Sequence, residues 1–268
     1  MCFRGVSWLP VAVGLIMATS VVTTYVIAVL RGDVSAVFPY ISDTGIDSPE
    51  SSIFSQFFNI AAFLAFLTMY LRYKLIRELT KDFDPKITKL SKVNFVIGCF
   101  SCAGLSIVGN FQETKLEIMH IIGAMLVFGC GTLFAYIDAI ISYKMHPIYN
   151  GIFICRVRVL IASVSLVSFV TIVVAGYTAT GLYYTARHKV RIFSPHWQPN
   201  YPGYPAHLVS TFGEWVMAFS FLLYFFTYIR DFQKFHVDIV PNLYVSNLDD
   251  EPFLEVSQLP NETSGLLA

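Results

Sequence analysis

The sequence predicts an all-α polytopic membrane protein with six transmembrane helices and both the N- and C-termini cytoplasmic, on three observations. The chain is 55% hydrophobic and 13% charged, about half the charge of an ordinary soluble domain. Six apolar runs approach or exceed the roughly 20 residues that cross a hydrocarbon core. Lysine and arginine are unevenly shared among the loops between those runs.

The runs fall at about 8–30, 53–71, 93–109, 118–141, 159–184 and 208–229. Each is too long for a strand and none alternates as a strand would. Arg4 precedes the first run, as in a signal peptide, but the run outlasts an h-region and has no clear small-residue cleavage site. It reads as an uncleaved anchor. Residues 1–235 form a six-helix transmembrane domain in this reading, and 236–268 a polar, acidic, disordered cytoplasmic tail.

Placing the N-terminus in the cytoplasm puts 13 of the 18 lysines and arginines on that side. Seven of these lie in 72–92, among them Arg72 and Lys74, and Arg158 is another. An even number of spans returns the tail to the same side. The basic loop at 72–92 would also attract anionic headgroups, diluted by Glu78, Asp82 and Asp84. The sizeable loops on the other face are 31–52 and 185–207. The second contains Pro195, Trp197, Pro199, Pro202 and Pro205, too many prolines for a continuous helix.

Polar groups within the spans are the candidates for function, because they are costly in lipid. Glu214 lies about 9 Å below the outer boundary of the sixth span. Asn59, Asn110, Gln112 and His120 belong to other spans at similar depth. The expectation is one intramembrane polar cluster of Asn59, Asn110, Gln112, His120 and Glu214, with His120 or an amide satisfying Glu214. It has two readings: interhelical hydrogen bonding that fixes the bundle, or a ligand or proton site. Asp138, near the cytoplasmic end of the fourth run, is expected to snorkel toward water.

Enzyme templates fail. No H-E-x-x-H, G-x-S-x-G or P-loop pattern is present, so no catalytic residues, no metal site and no cofactor are expected. His207 and Glu214 share a helix face, but three convergent ligands are not implied by the spacing. Net charge of +0 gives no field to draw nucleic acid. Paired broken helices, which mark many transporters, are lacking. Cys99 and Cys102 form a C-x-x-C inside an apolar run, a setting for packing rather than reactivity. Cys2 and Cys155 sit near cytoplasmic helix ends, where lipidation is possible.

The tail ends with Glu262, Leu266 and Leu267 in the spacing of an acidic dileucine sorting signal, which a clathrin adaptor would read. Asn261-Glu262-Thr263 is a glycosylation sequon, placed on the cytoplasmic side where it would be unused.

Several strings together resemble the DNA-damage-regulated autophagy modulator family. They are Pro39-Tyr40-Ile41-Ser42-Asp43-Thr44-Gly45 with Pro49-Glu50, Asn59-Ile60-Ala61-Ala62 with Arg72-Tyr73-Lys74, and Leu105 through Gln112. Ile141 through Lys144, Glu214-Trp215 and Thr227 through Gln233 complete the set in the same order. The resemblance implies a six-pass protein of lysosomal or endosomal membranes. It further implies a positive, non-enzymatic role in macroautophagy with a link to stress-induced cell death. Membrane lipids and autophagy or lysosomal membrane proteins are the implied partners. Plasma-membrane relatives in the wider group make that membrane a second location. The alternative function is a small-solute, lipid or proton carrier or channel using Glu214 and His120.

Overall fold

A computed structural model describes residues 5–82, 84–187 and 196–238. The helices are α1 (Trp8–Arg31), α2 (Glu50–Thr80), α3 (Pro85–Asn110), α4 (Glu117–Met125), α5 (Gly131–Lys144), α6 (Ile152–Arg187), α7 (Tyr204–Phe226) and α8 (Ile229–Phe232). A 3₁₀ turn spans Ser42–Gly45, and a π-helical turn, Leu126–Cys130, joins α4 to α5 in one rod. Among the described residues six segments are long and apolar enough to cross a membrane: α1, α2, α3, α4 through α5, α6, and α7 through α8. Residues 5–235 belong to one compact unit, and 236–238 fall outside it. The expected disordered tail beyond residue 238, its Glu262, Leu266 and Leu267, and Cys2 lie outside the described residues.

Helices two and three outrun their apolar stretches. α2 continues to Thr80 and α3 begins at Pro85, so hydropathy marks only the part that meets lipid. The charged stems remain helical because local chemistry supports them. Asp84 caps α3, accepting from the amides of Lys86 and Ile87, and Pro85 occupies the first turn where no amide is needed. At the other end of the bundle α1 stops at Gly32, whose left-handed φ of 78° lets its amide return to the carbonyls of Ala28 and Val29.

Lipid replaces water around the spans, so the outer face is apolar. Leu15, Phe63, Phe100, Leu160, Val167 and Phe212 all point outward. The interior holds three apolar clusters. One gathers Leu9, Val13, Met69, Phe134 and Tyr224, a second Val21, Ile41, Phe54 and Phe58, and a third Ile76, Ile87, Ile141 and Met145. Small residues let the helices approach. A Cβ on Gly104 of α3 would stand 2.5 Å from the Val127 nitrogen and 2.7 Å from the Gly123 oxygen. The π turn lies at this crossing, and Ser101 donates to the Val127 carbonyl at 3.1 Å. A widened turn disturbs the regular ladder, and the α3 hydroxyl supplies a bond there.

The charged end of the bundle departs from the sequence reading. Arg72, Asp138 and Arg158, expected as topology charges and a snorkelling acid, are at most 3% exposed. Arg72 Nε meets Asp138 Oδ1 at 3.1 Å, and its Nη1 meets Asp231 Oδ2 at 3.0 Å. Arg158 Nη2 reaches the same Asp231 oxygen at 2.6 Å. Both guanidiniums bond Ser142 Oγ, and both lie over the Tyr228 ring, at 5.3 and 5.1 Å. Tyr224 donates to Asp138 Oδ2 at 3.2 Å. The two cations and two anions balance, so α2, α5, α6 and α8 are tied by a neutral, hydrogen-bonded cluster. Snorkelling is replaced by pairing because the partners come from other helices at the same depth. Planar guanidinium forks suit this task better than ammonium groups.

Cys155, expected as a lipidation candidate, is also corrected. It is fully buried and its thiol donates to the Ser142 carbonyl at 3.3 Å, beside the charged cluster and closed to acylation.

Candidate functional site

The opposite end of the bundle carries the first loop, and nearly every residue of its 39–45 segment is held. Trp215 Nε1 donates to the Pro39 carbonyl at 2.9 Å. The Tyr40 hydroxyl donates to Ser210 Oγ at 2.8 Å, and Ser210 in turn donates to the Ile172 carbonyl. Glu214 Oε2 accepts the Ile41 amide at 2.8 Å. Ser42 Oγ donates to Glu113 Oε2 at 3.5 Å. Thr44 Oγ1 pairs with Thr24 Oγ1 of α1 at 2.9 Å and donates to its own loop's Ile41 carbonyl at 2.7 Å. Gly45 packs on the Phe54 ring so closely that a Cβ would stand 2.6 Å away. Ile41, Asp43, Thr44 and Gly45 are buried. The segment is therefore a plug seated among α1, α2 and α7 rather than a solvated connection.

Aromatic rings frame the plug. Tyr25 meets Trp215 edge-on at 5.8 Å, and Tyr40 meets His207 edge-on at 5.2 Å. Trp197, from the proline-rich fifth loop, stacks on His207 at 4.4 Å and 9°. That loop thus reaches the bundle through rings rather than through helix.

The five candidate polar residues do not form one cluster. Asn59 and Asn110 bond each other, with Ser55 and Ser106, in an amide ladder joining α2 to α3. His120 Nδ1 bonds the Phe111 carbonyl at 2.7 Å and not Glu214. Gln112 is half-buried, and its carbonyl accepts the amides of Lys115 and Leu116. Glu214 alone engages the first loop. Position along a helix carries no information about azimuth, and these side chains leave their helices on different faces. Glu113 lies between spans, where the cost of a polar group in lipid does not single it out. The signal that marks it is an acid flanking a run that already ends in Asn110 and Gln112.

Consecutive loop residues gather three acids. Glu214 sits on Ile41, Glu113 on Ser42, and Asp43 follows, with electrostatic interaction among all three. Among the described residues none of them is in a salt bridge, and no group of three His, Cys, Asp or Glu side chains is close enough to hold a metal ion. Burial pushes the Glu113 carboxyl up to about 7. Burial, and then Glu113 and Glu214, raise Asp43 well above the usual carboxylate range. A raised carboxyl favours the folded state while protonated. Its contribution is complete below the ordinary value near 4.5 and is lost as pH rises through about 7. The seated loop is accordingly held more firmly in acid than at neutral pH.

Residues 5–235 match the family profile described as the Frag1/DRAM/Sfk1/Cwh43P N-terminal domain. The chain belongs to this family. The Frag1/DRAM match ends at the residue where the compact helical unit ends. Human DNA damage-regulated autophagy modulator protein 2 is 37% identical over 253 residues, covering 92% of this chain and 91% of that protein. Human DNA damage-regulated autophagy modulator protein 1 is 36% identical over 235 residues, covering 87% and 94%. The zebrafish (Danio rerio) modulator of macroautophagy TMEM150B is 32% identical over 157 residues, covering 58% and 66%. No solved structure matches the chain.

Proposed function

We propose that this chain is a non-enzymatic, multi-pass protein of lysosomal or endosomal membranes that promotes macroautophagy and couples cellular stress to cell death. The observation that carries the reading is 37% identity over 92% of the chain with a protein named for autophagy modulation. The bundle supports it in kind: its buried polar groups are spent on holding helices and a loop together, as befits a membrane scaffold that acts through partners. In this reading the seated first loop faces an acidic lumen, and the groups that tighten at low pH are in the compartment that supplies it. Both termini and the hairpin between α2 and α3 then face the cytoplasm. The tail signal Glu262, Leu266 and Leu267 recruits a clathrin adaptor.

One experiment tests location and function together. In cells deleted for the protein, re-expressed wild type is expected to reach lysosomes and to restore turnover of a lipidated autophagosome marker. The double variant Leu266→Ala with Leu267→Ala is expected to accumulate at the cell surface and to restore it poorly. Lysosomal residence of the double variant would remove the sorting role. Unaltered marker turnover in the deleted cells would remove the autophagy role.

A further inference from the structure

Beneath the seated loop lies an apolar cavity of about 130 Å³, bounded by α1, α2, α3, α7 and the π turn. Its roof is Ile41 and Ser42 of the first loop, with Glu214 beside them. Its walls are Val21, Phe58, Leu105, Ala218, Leu222 and Phe225. Successive α7 residues from Glu214 to Phe225 line it, so it runs along the helix, away from the loop, with the carboxylate at one end.

Two features distinguish it from a packing gap. The first is an opening. Val22 of α1 and Phe219 of α7 both line the cavity, yet they are 56% and 53% exposed. The cavity therefore opens sideways between α1 and α7, at a level where the surroundings are hydrocarbon. The second is the carboxylate itself. Glu214 is only 7% exposed. Its Oε2 holds the Ile41 amide, while its Oε1 takes no hydrogen bond among the described residues. A carboxylate in an apolar chamber, next to two further acids and without a basic partner among the described residues, is poorly compensated.

We propose that this cavity binds a single-chain lipid amine, which enters from the bilayer between α1 and α7 and pairs its ammonium with Glu214. Charge complementarity selects the head. A cation satisfies the free oxygen of Glu214, whereas a fatty acid brings a further carboxyl to a place where Glu214, Glu113 and Asp43 already gather. Shape selects one chain. An apolar protein cavity of about 150 Å³ admits a benzene-sized guest, so this one encloses only the head-proximal carbons, and the remainder of the chain leaves through the side opening into lipid. Because Glu214 also holds the Ile41 amide, an occupied site bears directly on how the first loop is seated.

The test uses the full-length protein in nanodiscs of phosphatidylcholine and a photoactivatable octadecylamine probe. Labelling is expected on α1 and α7 around Val22 and Phe219. Unlabelled octadecylamine should compete, and octadecanoic acid and octadecanol should compete at least about tenfold less well, the margin of one charge-assisted contact. Glu214→Gln should weaken labelling by a similar factor, Glu214→Asp should restore it, and Ala218→Phe, which fills the chamber, should abolish it. Tyr40→Phe removes the loop's hydroxyl bond to Ser210 without touching the cavity lining and should leave labelling in place, separating amine binding from loop anchoring. Equal competition by the alcohol would show that a neutral head suffices and would overturn the amine. Labelling scattered over the outer helix faces, or unchanged by Glu214→Gln, would overturn the site.

Discussion

Arg158→Met is expected to destabilise the bundle by about 3–5 kcal/mol, the usual cost of removing one partner from a buried charge set. The substitution keeps much of the side-chain volume but strips Asp231 of its 2.6 Å partner, leaves Thr227 Oγ1 without its guanidinium donor and takes one of two cations from the Tyr228 face. Arg72 then faces two carboxylates alone. At 2–4 °C per kcal/mol for a chain of this size, the melting midpoint in detergent falls by roughly 6–20 °C. Adding Asp231→Asn to Arg158→Met should recover part of the loss, since it restores charge balance, and the two single effects should not add. A midpoint unchanged by Arg158→Met would mean that water reaches this cluster and that it is not buried.

Gly104→Val is the second large effect. Its new Cβ would collide with the Val127 nitrogen and the Gly123 oxygen, both backbone atoms of the neighbouring rod. Backbone cannot rotate aside as a flexible side chain does. The helices must separate, losing the Ser101 bond to Val127 with them. Overpacking of this kind costs about 1–3 kcal/mol and more where nothing yields. Gly181→Ala in α6 is the matched control. Nothing stands within 4 Å of its would-be Cβ, and alanine favours helix over glycine by about 0.5–1 kcal/mol. Thermal unfolding of the two variants should therefore move in opposite directions. Similar midpoints for both would show that α3 and the π turn do not touch closely.

Much of the fold is legible in the sequence because lipid imposes a simple rule. A helix must satisfy its own backbone and present apolar side chains outward, and both demands appear in local composition. The six spans follow from that rule alone. What hydropathy cannot see is which helix faces which. Arg72 and Arg158 count as loop charges in any tally of lysine and arginine, yet they are buried because Asp138 and Asp231 arrive from other helices. Asn59 and Asn110 are two spans' polar residues at one depth, and they do pair. His120, at the same depth, turns instead to the Phe111 carbonyl.

The first loop shows the same division. Its string from Pro39 to Gly45 is recognisable as a family motif, but no local pattern explains it. The explanation is tertiary: Trp215, Ser210, Glu214, Glu113, Thr24 and Phe54 each engage one position of the motif. Those partners are scattered over three helices and a loop, at separations of up to 176 residues.

Hydrogen exchange across residues 39–46 of the intact protein, compared as protection factors at pH 5 and pH 7.5, tests this seating most directly. The Ile41 amide should be strongly protected, more so at pH 5, and its protection should fall in Glu214→Gln. The pH difference should shrink in Glu113→Gln. Free exchange of that amide in the unaltered chain at both pH values would contradict a docked first loop.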